Sequence, residues 1–295
     1  MKDILLIPNV KIHNANALSS PYTIGFPAMT AWLGFMHALQ RKLANTELSE
    51  IKFTGLVVSC LDMTLHTHKS GYITSIIATS NPLDKAGKRP SFIEEARCDL
   101  EVSIGIECDM GFLGDDRFTR HIDKTLHTMK IASGDIISFK PCQHLEVEDN
   151  EPRGLTRYLM PGYCLVSRQE LMQELMRDGS DAIDAMLEYL KTTTDIVIDE
   201  NHKVTKSRAY KKEKGWIVPI AVGYQGISDL GALANARDES TPHRFAESIV
   251  TLGEFKMPYH FETTEQMMWR YQEYKEDDLY LCRNNFSVKN QESKL

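Results

Sequence analysis

The feature that most constrains this chain is an alternation of apolar and polar side chains between Glu95 and Cys108. The two sets are Ala96, Cys98, Leu100, Val102, Ile104, Ile106 and Cys108 against Arg97, Asp99, Glu101, Ser103, Gly105 and Glu107. Successive side chains of a β-strand point to opposite faces of its sheet, so a period of two predicts a strand here. We expect the apolar face to lie in a core and the polar face to be solvated.

Shorter patterns on both sides of this strand predict the elements that surround it. Strand-like segments lie at Ile4–Ile7, which Pro8 ends, and at 51–60, 72–80 and 135–139. The helical spacing of apolar residues predicts helices over Pro27–Leu43 and Asp115–Met129. The order of a strand, a helix, two or three strands, a helix and a strand is typical of the ferredoxin-like fold, which RNA-recognition domains also use.

The second half of the chain mixes strands with helices. Its predicted elements are a strand and turn at 155–168, helices at 168–177 and 181–192, and a strand at 215–228. We therefore predict an α+β protein. It has a ferredoxin-like, RRM-type core over residues 1–145, and a further α+β part over 146–295 packs on that core.

Charge and apolar runs limit the classes of function. The net charge of −7 argues against a free-standing, nonspecific nucleic-acid binder, because such proteins are normally basic. A subunit that grips RNA with a local patch remains compatible with it. No apolar run approaches the ~18 residues of a membrane span, so we expect a cytoplasmic protein with no membrane contact. The six cysteines form no CxxC pair, and we expect reduced thiols.

The histidines and glycines match no catalytic or cofactor motif. The sequence contains no Walker loop and no GxGxxG, so nucleotide hydrolysis has no support and no cofactor is predicted. His66 and His68 would share a face of a strand, but a metal would need a further ligand, and we interpret both as solvated loop residues. His37, on the predicted first helix, is interpreted as a hydrogen-bonded residue at the edge of the apolar face.

A polar, small-residued segment follows the first predicted strand, from Ile12 to Met29. Asn14 and Asn16 present donors and acceptors that suit base edges or 2′-hydroxyls, and the adjacent Ala15 and Ala17 leave room against the backbone. Ser19 and Ser20 suit phosphate oxygens, as do the free N–H groups where the next helix begins. The alternative is structural, since the same side chains can hold a turn and cap a helix.

Two basic segments could contact phosphates. Loop 81–92 carries Lys85, Lys88 and Arg89 on a Pro/Gly framework, and loop 61–71 is a second long connection. The run 203–214 holds six basic residues against one acid, with Tyr210 interleaved and Trp216 close behind. Solvated loops and a solvated linker are the alternative interpretations of these segments.

Longer stretches of the sequence resemble one known family, the second, Cas-five-type subunit of the type I-F CRISPR surveillance complex, also called the Csy complex or type I-F Cascade. The stretches that carry the resemblance are 12–20, 25–27, 34–41 (GFMHALQR), 81–104, 153–168 (RGLTRYLMPGYCLVSR), 214–228 and 234–255. They span nearly the whole chain in the order of the family.

The resemblance implies a non-catalytic, RRM-type (RAMP) protein with a thumb-like loop, for which 81–92 is the first candidate and 61–71 the second. Such a subunit binds the 5′ handle of the crRNA and pairs with the large subunit. It abuts the first Cas-seven-type backbone subunit and, through the complex, helps to recognise double-stranded target DNA. Other proteins of the system cleave the precursor RNA and destroy the target.

The residues that we predict to contact RNA lie in several separate stretches. They are Asn14, Asn16, Ser19, Ser20, Arg41, Lys85, Lys88, Arg89, Arg97, Arg153, Arg157, Arg237 and Arg244. Arg97 is expected on the solvated face of its strand, and Arg153 and Arg157 are expected to flank the start of a strand. Each arginine has an alternative role in an ion pair, with acids such as Asp99, Glu101, Asp238, Glu239 or Glu247.

Two other functions remain open at this point. A metal-independent RAMP endoribonuclease that processes repeat RNA needs a histidine beside a 2′-hydroxyl, and His13, His37 and His68 are the candidates. A stand-alone RNA-binding regulator is the third possibility.

Overall fold

The computed structural model describes residues 1–77, 83, 85–88, 95–109, 116–198, 204–234, 238 and 240–286. The helices are α1 (Met29–Leu43), α2 (Asp116–Leu126), α3 (Arg153–Leu159), α4 (Gln169–Arg177) and α5 (Ala182–Leu190). The strands of the first half are β1 (Lys2–Asn16), β2 (Leu18–Ser20), β3 (Thr23–Ile24), β4 (Lys52–Leu65), β5 (Thr67–Ser70), β6 (Ile73–Ile76), β7 (Arg97–Asp109), β8 (Lys130–Ile131), β9 (Gly134–Ser138) and β10 (Gln143–Val147). Those of the second half are β11 (Tyr163–Ser167), β12 (Thr193–Ile198), β13 (Val204–Tyr210), β14 (Trp216–Gly226), β15 (Ala246–Lys256), β16 (Trp269–Tyr274) and β17 (Leu279–Asn284). The protein is thus a mixed α+β structure rich in strands.

The alternating segment forms β7, at the centre of the first half, as predicted. Strands β9, β1, β7 and β4 are neighbours in that order, and every pair is antiparallel. Helices α1 and α2 cover the apolar face, where Trp32 and Leu33 of α1 and Phe118 and Ile122 of α2 are almost completely buried. The helical spacing of these residues puts them on one side of each helix, which is the side that meets the sheet.

The first strand is much longer than predicted, and Pro8 does not end it. Strand β1 continues to Asn16, and its register against β7 shifts between Ile7 and Val10. Asn9, within this irregularity, has a φ of 51°. A proline lacks the N–H of a ladder hydrogen bond, but a bulge leaves a residue unpaired and therefore accommodates it.

The second face of β7 is only half solvated, which corrects the expectation of a fully wet face. Helix α3 packs over the half that carries Ser103, Gly105 and Glu107. A Cβ at Gly105 would lie 2.9 Å from Cγ1 of Val57 and 3.5 Å from Cδ1 of Leu155 on α3. The glycine therefore permits this close approach. The half with Arg97, Asp99 and Glu101 is left open to solvent.

Helix α3 was missed by the sequence analysis, which placed a strand and turn at 155–168. Arg153 and Arg157 are the first and fifth residues of this helix and do not flank a strand start. Its seven residues are too few for a helical period to stand out, and β11 follows after only three residues. The two helices predicted after it are confirmed as α4 and α5.

The strands of the second half form a closed ring with β4. Antiparallel pairs connect β4, β11, β15, β14, β17 and β16, and β16 pairs β4 again through Trp269 and Leu56. The fully buried Trp269 donates from Nε1 to the carbonyl oxygen of Leu165, 2.8 Å away on β11. Because β4 belongs both to the ring and to the first sheet, the two sheets are continuous.

Among the described residues, three two-stranded hairpins stand outside this sheet, β2–β3, β5–β6 and β12–β13. The last two include segments for which a solvated loop or linker was an alternative. Loop 61–71 is the end of β4 followed by β5, which pairs with β6. The basic run 203–214 contains β13, which pairs with β12 over its length. Among the described residues, no helix is both long and apolar enough to cross a membrane.

Candidate nucleic-acid interface

The polar segment after β1 folds into a tight turn, and most of its side chains stabilise that turn. The Oδ1 atom of Asn16 accepts a hydrogen bond from the backbone N–H of Leu18 at 3.0 Å. Ser19 and Ser20 both hydrogen-bond through their Oγ atoms to Oγ1 of Thr23, at 2.8 Å and 2.7 Å. The structural alternative therefore accounts for part of the role of these three residues, although Asn16 and Ser19 are only partly buried.

A groove of about 720 Å³ runs beside this turn. Its walls come from the turn, from the first residues of α1, from Ala132 and Ser133, and from strands β14–β17 of the ring. The residues along it include Asn16, Ser19, Ser20, Pro27, Thr30, Ala132, Ser133, Tyr224, Ser248, Tyr271 and Tyr280. Three of the thirteen predicted RNA contacts thus lie together in one concave surface.

Three tyrosines from the second half of the chain form the opposite wall. Tyr224 on β14 and Tyr280 on β17 are directly opposite each other in the strand register, and 43% and 36% of their surfaces are exposed. The ring centroids of Tyr271 and Tyr280 are 4.7 Å apart, and the Tyr271 hydroxyl donates to the carbonyl oxygen of Thr30 at 3.3 Å. Burial raises the pKa of the Tyr271 phenol, so it remains a neutral donor at physiological pH.

The amino end of α1 faces the groove without a side-chain cap. Ala28 occupies the N-cap position, its side chain makes no capping hydrogen bond, and the first turn contains no acidic residue. The first backbone N–H groups of a helix lack the usual i−4 partner and carry the positive end of the dipole. The Ala31 N–H donates to the carbonyl oxygen of Ala28 at 2.9 Å, so Met29 and Thr30 supply the N–H groups that lack such a partner. The helix begins two residues later than predicted, and Thr30 and Ala31 of its first turn line the groove. This combination suits an anionic group such as a phosphate.

The contacts of Asn14 and Arg97 are intramolecular. The Asn14 N–H donates to Oδ1 of Asp99 at 2.9 Å, while its carbonyl oxygen accepts from Arg97 Nη1 at 3.4 Å. Arg97 also forms an ion pair with Glu95. The sequence analysis considered Asp99 and Glu101 as partners of Arg97, and the structure assigns this role to Glu95. Arg97 thus stabilises the bulged end of β1.

Most of the remaining basic candidates lie away from the groove. Arg41 is exposed in the last turn of α1, at the opposite end of that helix from the groove. Lys85 and Lys88 are exposed residues of the predicted thumb loop. Arg89, Arg237 and most of the thumb segment 81–92 lie outside the described residues.

The two arginines of α3 and Arg244 have different surroundings. Arg157 lies over the ring of Tyr158, with 4.7 Å between Cζ and the ring centroid, and Arg153 is exposed. Arg244 forms an ion pair with Asp278, a residue that the sequence analysis did not consider as its partner. It lines a second cavity that shares Tyr280 with the groove. Of the three, Arg244 is therefore the one associated with the groove.

The three histidines considered for ribonuclease chemistry lie in different surroundings. His13 hydrogen-bonds to Asp99, and His68 is exposed on β5. His37 packs on Tyr271 with 4.6 Å between ring centroids, and partial burial together with the charge of Arg41 lowers its pKa. His66, interpreted from sequence as a solvated loop residue, instead lies 3.0 Å from a carboxylate oxygen of Asp99.

The tyrosines are the site residues that sequence reasoning missed. They lie on three strands, and only the register of β14, β16 and β17 brings them beside the distant turn at residues 17–25. Tyr224 fell within a stretch that carried the family resemblance, which was the single signal available for it. Tyr271 and Tyr280 belong to the part of the chain where no strand was predicted.

Comparisons with known proteins agree with the resemblance in the sequence. A profile of the CRISPR-associated protein (Cas_Csy2) family matches residues 5–282. The CRISPR-associated protein Csy2 of Pseudomonas aeruginosa (strain UCBPP-PA14) is 30% identical over 307 residues, an alignment that covers 94% of this chain and 94% of the relative. The family match includes every residue that lines the groove, from Asn16 to Tyr280, and so extends over both of its walls.

Proposed function

The chain belongs to the Csy2 family of CRISPR-associated proteins, and from this premise we propose that it is a non-catalytic subunit of a type I-F Csy complex. It binds the 5′ handle of the crRNA, pairs with the large subunit and caps the row of Cas-seven-type backbone subunits. Through the complex it takes part in recognising double-stranded target DNA. We place its work in the cytoplasm, where guide RNA and invading DNA meet.

The observation that carries the proposal is the groove between the turn after β1 and the three tyrosines. Proteins that read single-stranded RNA stack splayed bases on aromatic rings and hydrogen-bond to base edges, phosphates and 2′-hydroxyls. The exposed rings of Tyr224 and Tyr280 suit the stacking, and the uncapped amino end of α1 suits a phosphate. The groove therefore combines the two kinds of contact that a single-stranded handle requires.

The strand order supports an RRM-type (RAMP), ferredoxin-like interpretation of the first half. In that fold the first and third strands are central, the fourth lies beside the first, and both helices cover one face. Here β1 and β7 are central, β9 lies beside β1, and α1 and α2 share a face. The open half of the other face carries Asp62, Asp99 and Glu101, whose charges repel phosphates. We therefore assign the handle to the groove rather than to the sheet face.

The proposal is tested by replacing the two exposed tyrosines. We expect Tyr224→Ala and Tyr280→Ala each to weaken handle binding by about 1–3 kcal/mol, the range for loss of one base–aromatic stack. The measurement is fluorescence anisotropy of a labelled crRNA handle with the chain co-purified with its large subunit. Tyr259→Ala is the matched control, because Tyr259 is 61% exposed and does not line the groove.

Equal affinity of the groove variants and the Tyr259→Ala control would contradict the assignment of the handle to this groove. Circular dichroism melts of each variant separate loss of binding from loss of folding. Incubation with repeat RNA in EDTA tests the non-catalytic assignment. Site-specific cleavage that disappears on replacing His13, His37 or His68 would show the endoribonuclease instead.

A further inference from the structure

Two histidines and an aspartate that are far apart in sequence meet on the open half of the sheet face. They are His13 on β1, His66 between β4 and β5, and Asp99 on β7. One ligand atom from each residue lies within 4.8 Å of those of the other two. The surface is separate from the groove described above, with which it shares no residue.

One nitrogen of each imidazole already lies beside the same carboxylate oxygen of Asp99. Nδ1 of His13 lies 2.8 Å from Oδ1 of Asp99, and Nε2 of His66 lies 3.0 Å from the same oxygen. Ligands of a four-coordinate zinc ion at bond lengths of about 2.0–2.2 Å are roughly 3.3–3.6 Å apart. The three side chains therefore need only a small outward movement to accept such an ion between them.

The backbone fixes all three positions. The register of β1 against β7 shifts between Ile12 and Ala15, and Asn14 within this bulge has a φ of 59°. The bulge aims the Asn14 N–H at Asp99, which orients the carboxylate, and bulges commonly redirect neighbouring side chains in this way. His66 is held by its own N–H, which donates to the carbonyl oxygen of Arg97 at 2.8 Å.

The charge around the cluster favours a cation. Asp62 and Glu101 line the same open cavity of about 330 Å³. Asp135, opposite His13 in the β1–β9 register, is neutralised by Lys130 at 2.5 Å. Lys11 is the basic residue that lines this cavity, and its Nζ lies 3.8 Å from Glu101. The open side of the cavity gives water access to a fourth coordination position.

We propose that His13, His66 and Asp99 form a site for a divalent transition-metal ion of the zinc class. Two imidazole nitrogens and one carboxylate are a ligand set that such ions prefer, whereas Ca²⁺ and Mg²⁺ prefer oxygen ligands. On binding, each imidazole presents a lone pair to the metal and gives up its hydrogen bond to Asp99. The ion would join β1, β7 and the base of the β5–β6 hairpin, fixing the hairpin to the sheet.

The test is a titration of the full, untagged chain with Co²⁺ and with Zn²⁺ after removal of metal by EDTA. We expect one equivalent to bind with visible Co²⁺ absorption, and Zn²⁺ to displace it. His13→Ala and His66→Ala should each weaken binding at least tenfold. His68→Ala is the matched control, because His68 is exposed two residues beyond His66 and should leave binding unchanged.

An independent readout identifies the ligands directly. Electron paramagnetic resonance of the Cu²⁺-loaded chain should show coupling to two imidazole nitrogens, and to one in His66→Ala. Affinities that are unchanged in His13→Ala and His66→Ala, or that fall equally in His68→Ala, would overturn the proposal. So would a spectrum without imidazole coupling. Circular dichroism of each variant verifies that the fold is retained.

Discussion

The two ends of one sheet face make an instructive pair, because the same three strands, β1, β4 and β7, supply both. At the covered end, where Leu155 of α3 packs near Gly105, Glu107 forms ion pairs with Lys2 at 3.3 Å and with Arg270 at 2.9 Å. At the open end, Asp99 accepts hydrogen bonds from His13, His66 and the Asn14 backbone. Both acids alternate with apolar neighbours in β7, so the alternation alone does not distinguish them.

What distinguishes the two ends is the element that lies over them. Burial removes water from Glu107, whose side chain is 16% exposed, so the carboxylate requires cations as partners. Both cations are shared with Glu265, at 2.9 Å from Lys2 and 2.6 Å from Arg270, which makes a connected network. At the open end water solvates the charges, and the polar groups remain available to bind a ligand. The covered polar side chains thus form ion pairs within the fold, whereas the uncovered ones can reach a ligand.

The largest expected effect tests whether α3 provides the cover. Leu155→Ala removes a fully buried side chain between α3 and the sheet, and we expect a loss of about 3 kcal/mol in the free energy of unfolding. Leu187→Ala, at a half-exposed leucine of α5, should change it by less than ~0.5 kcal/mol. Urea denaturation of both variants measures the difference. Similar small losses in both would mean that α3 does not stabilise this face.

A smaller effect is expected from breaking the covered network. Arg270→Gln leaves Glu107 and Glu265 without the guanidinium, and we expect a loss of about 2 kcal/mol, reduced by the partial exposure of this side chain. The matched control is Arg153→Gln, since Arg153 has no ion-pair partner among the described residues. The melting temperatures of the two variants are compared at low and at high salt. An Arg270→Gln melting temperature equal to that of the control would show that the network adds no stability.

The smallest effect is the dependence of stability on pH. Burial by itself raises the pKa of Glu107, but the charges of Arg270 and Lys2 outweigh it and hold the pKa below its ordinary value of 4.5. A depressed pKa in the folded state stabilises the protein above pH 4.5, and this contribution is lost as the pH falls through the folded pKa. Glu107→Gln should therefore flatten the fall in urea midpoint below pH 4.5.

Asp99→Asn, at the open end of the sheet face, is the variant to compare with Glu107→Gln. Burial also opposes ionisation of Asp99, and hydrogen bonds from Asn14 and His66 outweigh it, so its pKa is lowered as well. Because Asp99 is 45% exposed, solvent screens these interactions, and Asp99→Asn should flatten the same curve less than Glu107→Gln. If Asp99→Asn flattened the pH dependence of the urea midpoint more than Glu107→Gln, the exposed acid would contribute more to stability than the buried one, contrary to this expectation.

The sequence predicted local features well wherever a period was long enough to read. The alternation in β7 and the helical spacing in α1 and α2 gave elements whose ends agree within two or three residues. Pro8 wrongly predicted the end of the first strand, because the bulge that accommodates it depends on pairing with β7 and cannot be recognised in one segment alone. Short α3 lacks a readable period, so most of its residues were assigned to a strand and turn. Strand β13 lies within the basic run 203–214, for which a solvated linker was the alternative interpretation.

The candidate site was predicted only on its first-half side. Asn16, Ser19 and Ser20 were recognised from the unusual composition of one segment, and the structure places them in the groove. The tyrosines opposite them depend on which strands become neighbours, and that is decided by packing across the whole chain. The RNA contacts expected of the arginines stay predictions. Their ion-pair partners could not be identified from the sequence, since an acid such as Glu95 or Asp278 becomes a partner only after folding.

The ring that β4 forms with strands of the second half has a consequence for the timing of biosynthesis. Strands β16 and β17 close the ring, and they carry two of the three groove tyrosines. A chain still emerging from the ribosome lacks Tyr271 and Tyr280, and with them most of one wall of the groove, until residues 269–284 are available. Anything that binds between the two walls must therefore bind after residues 269–284 have been synthesised.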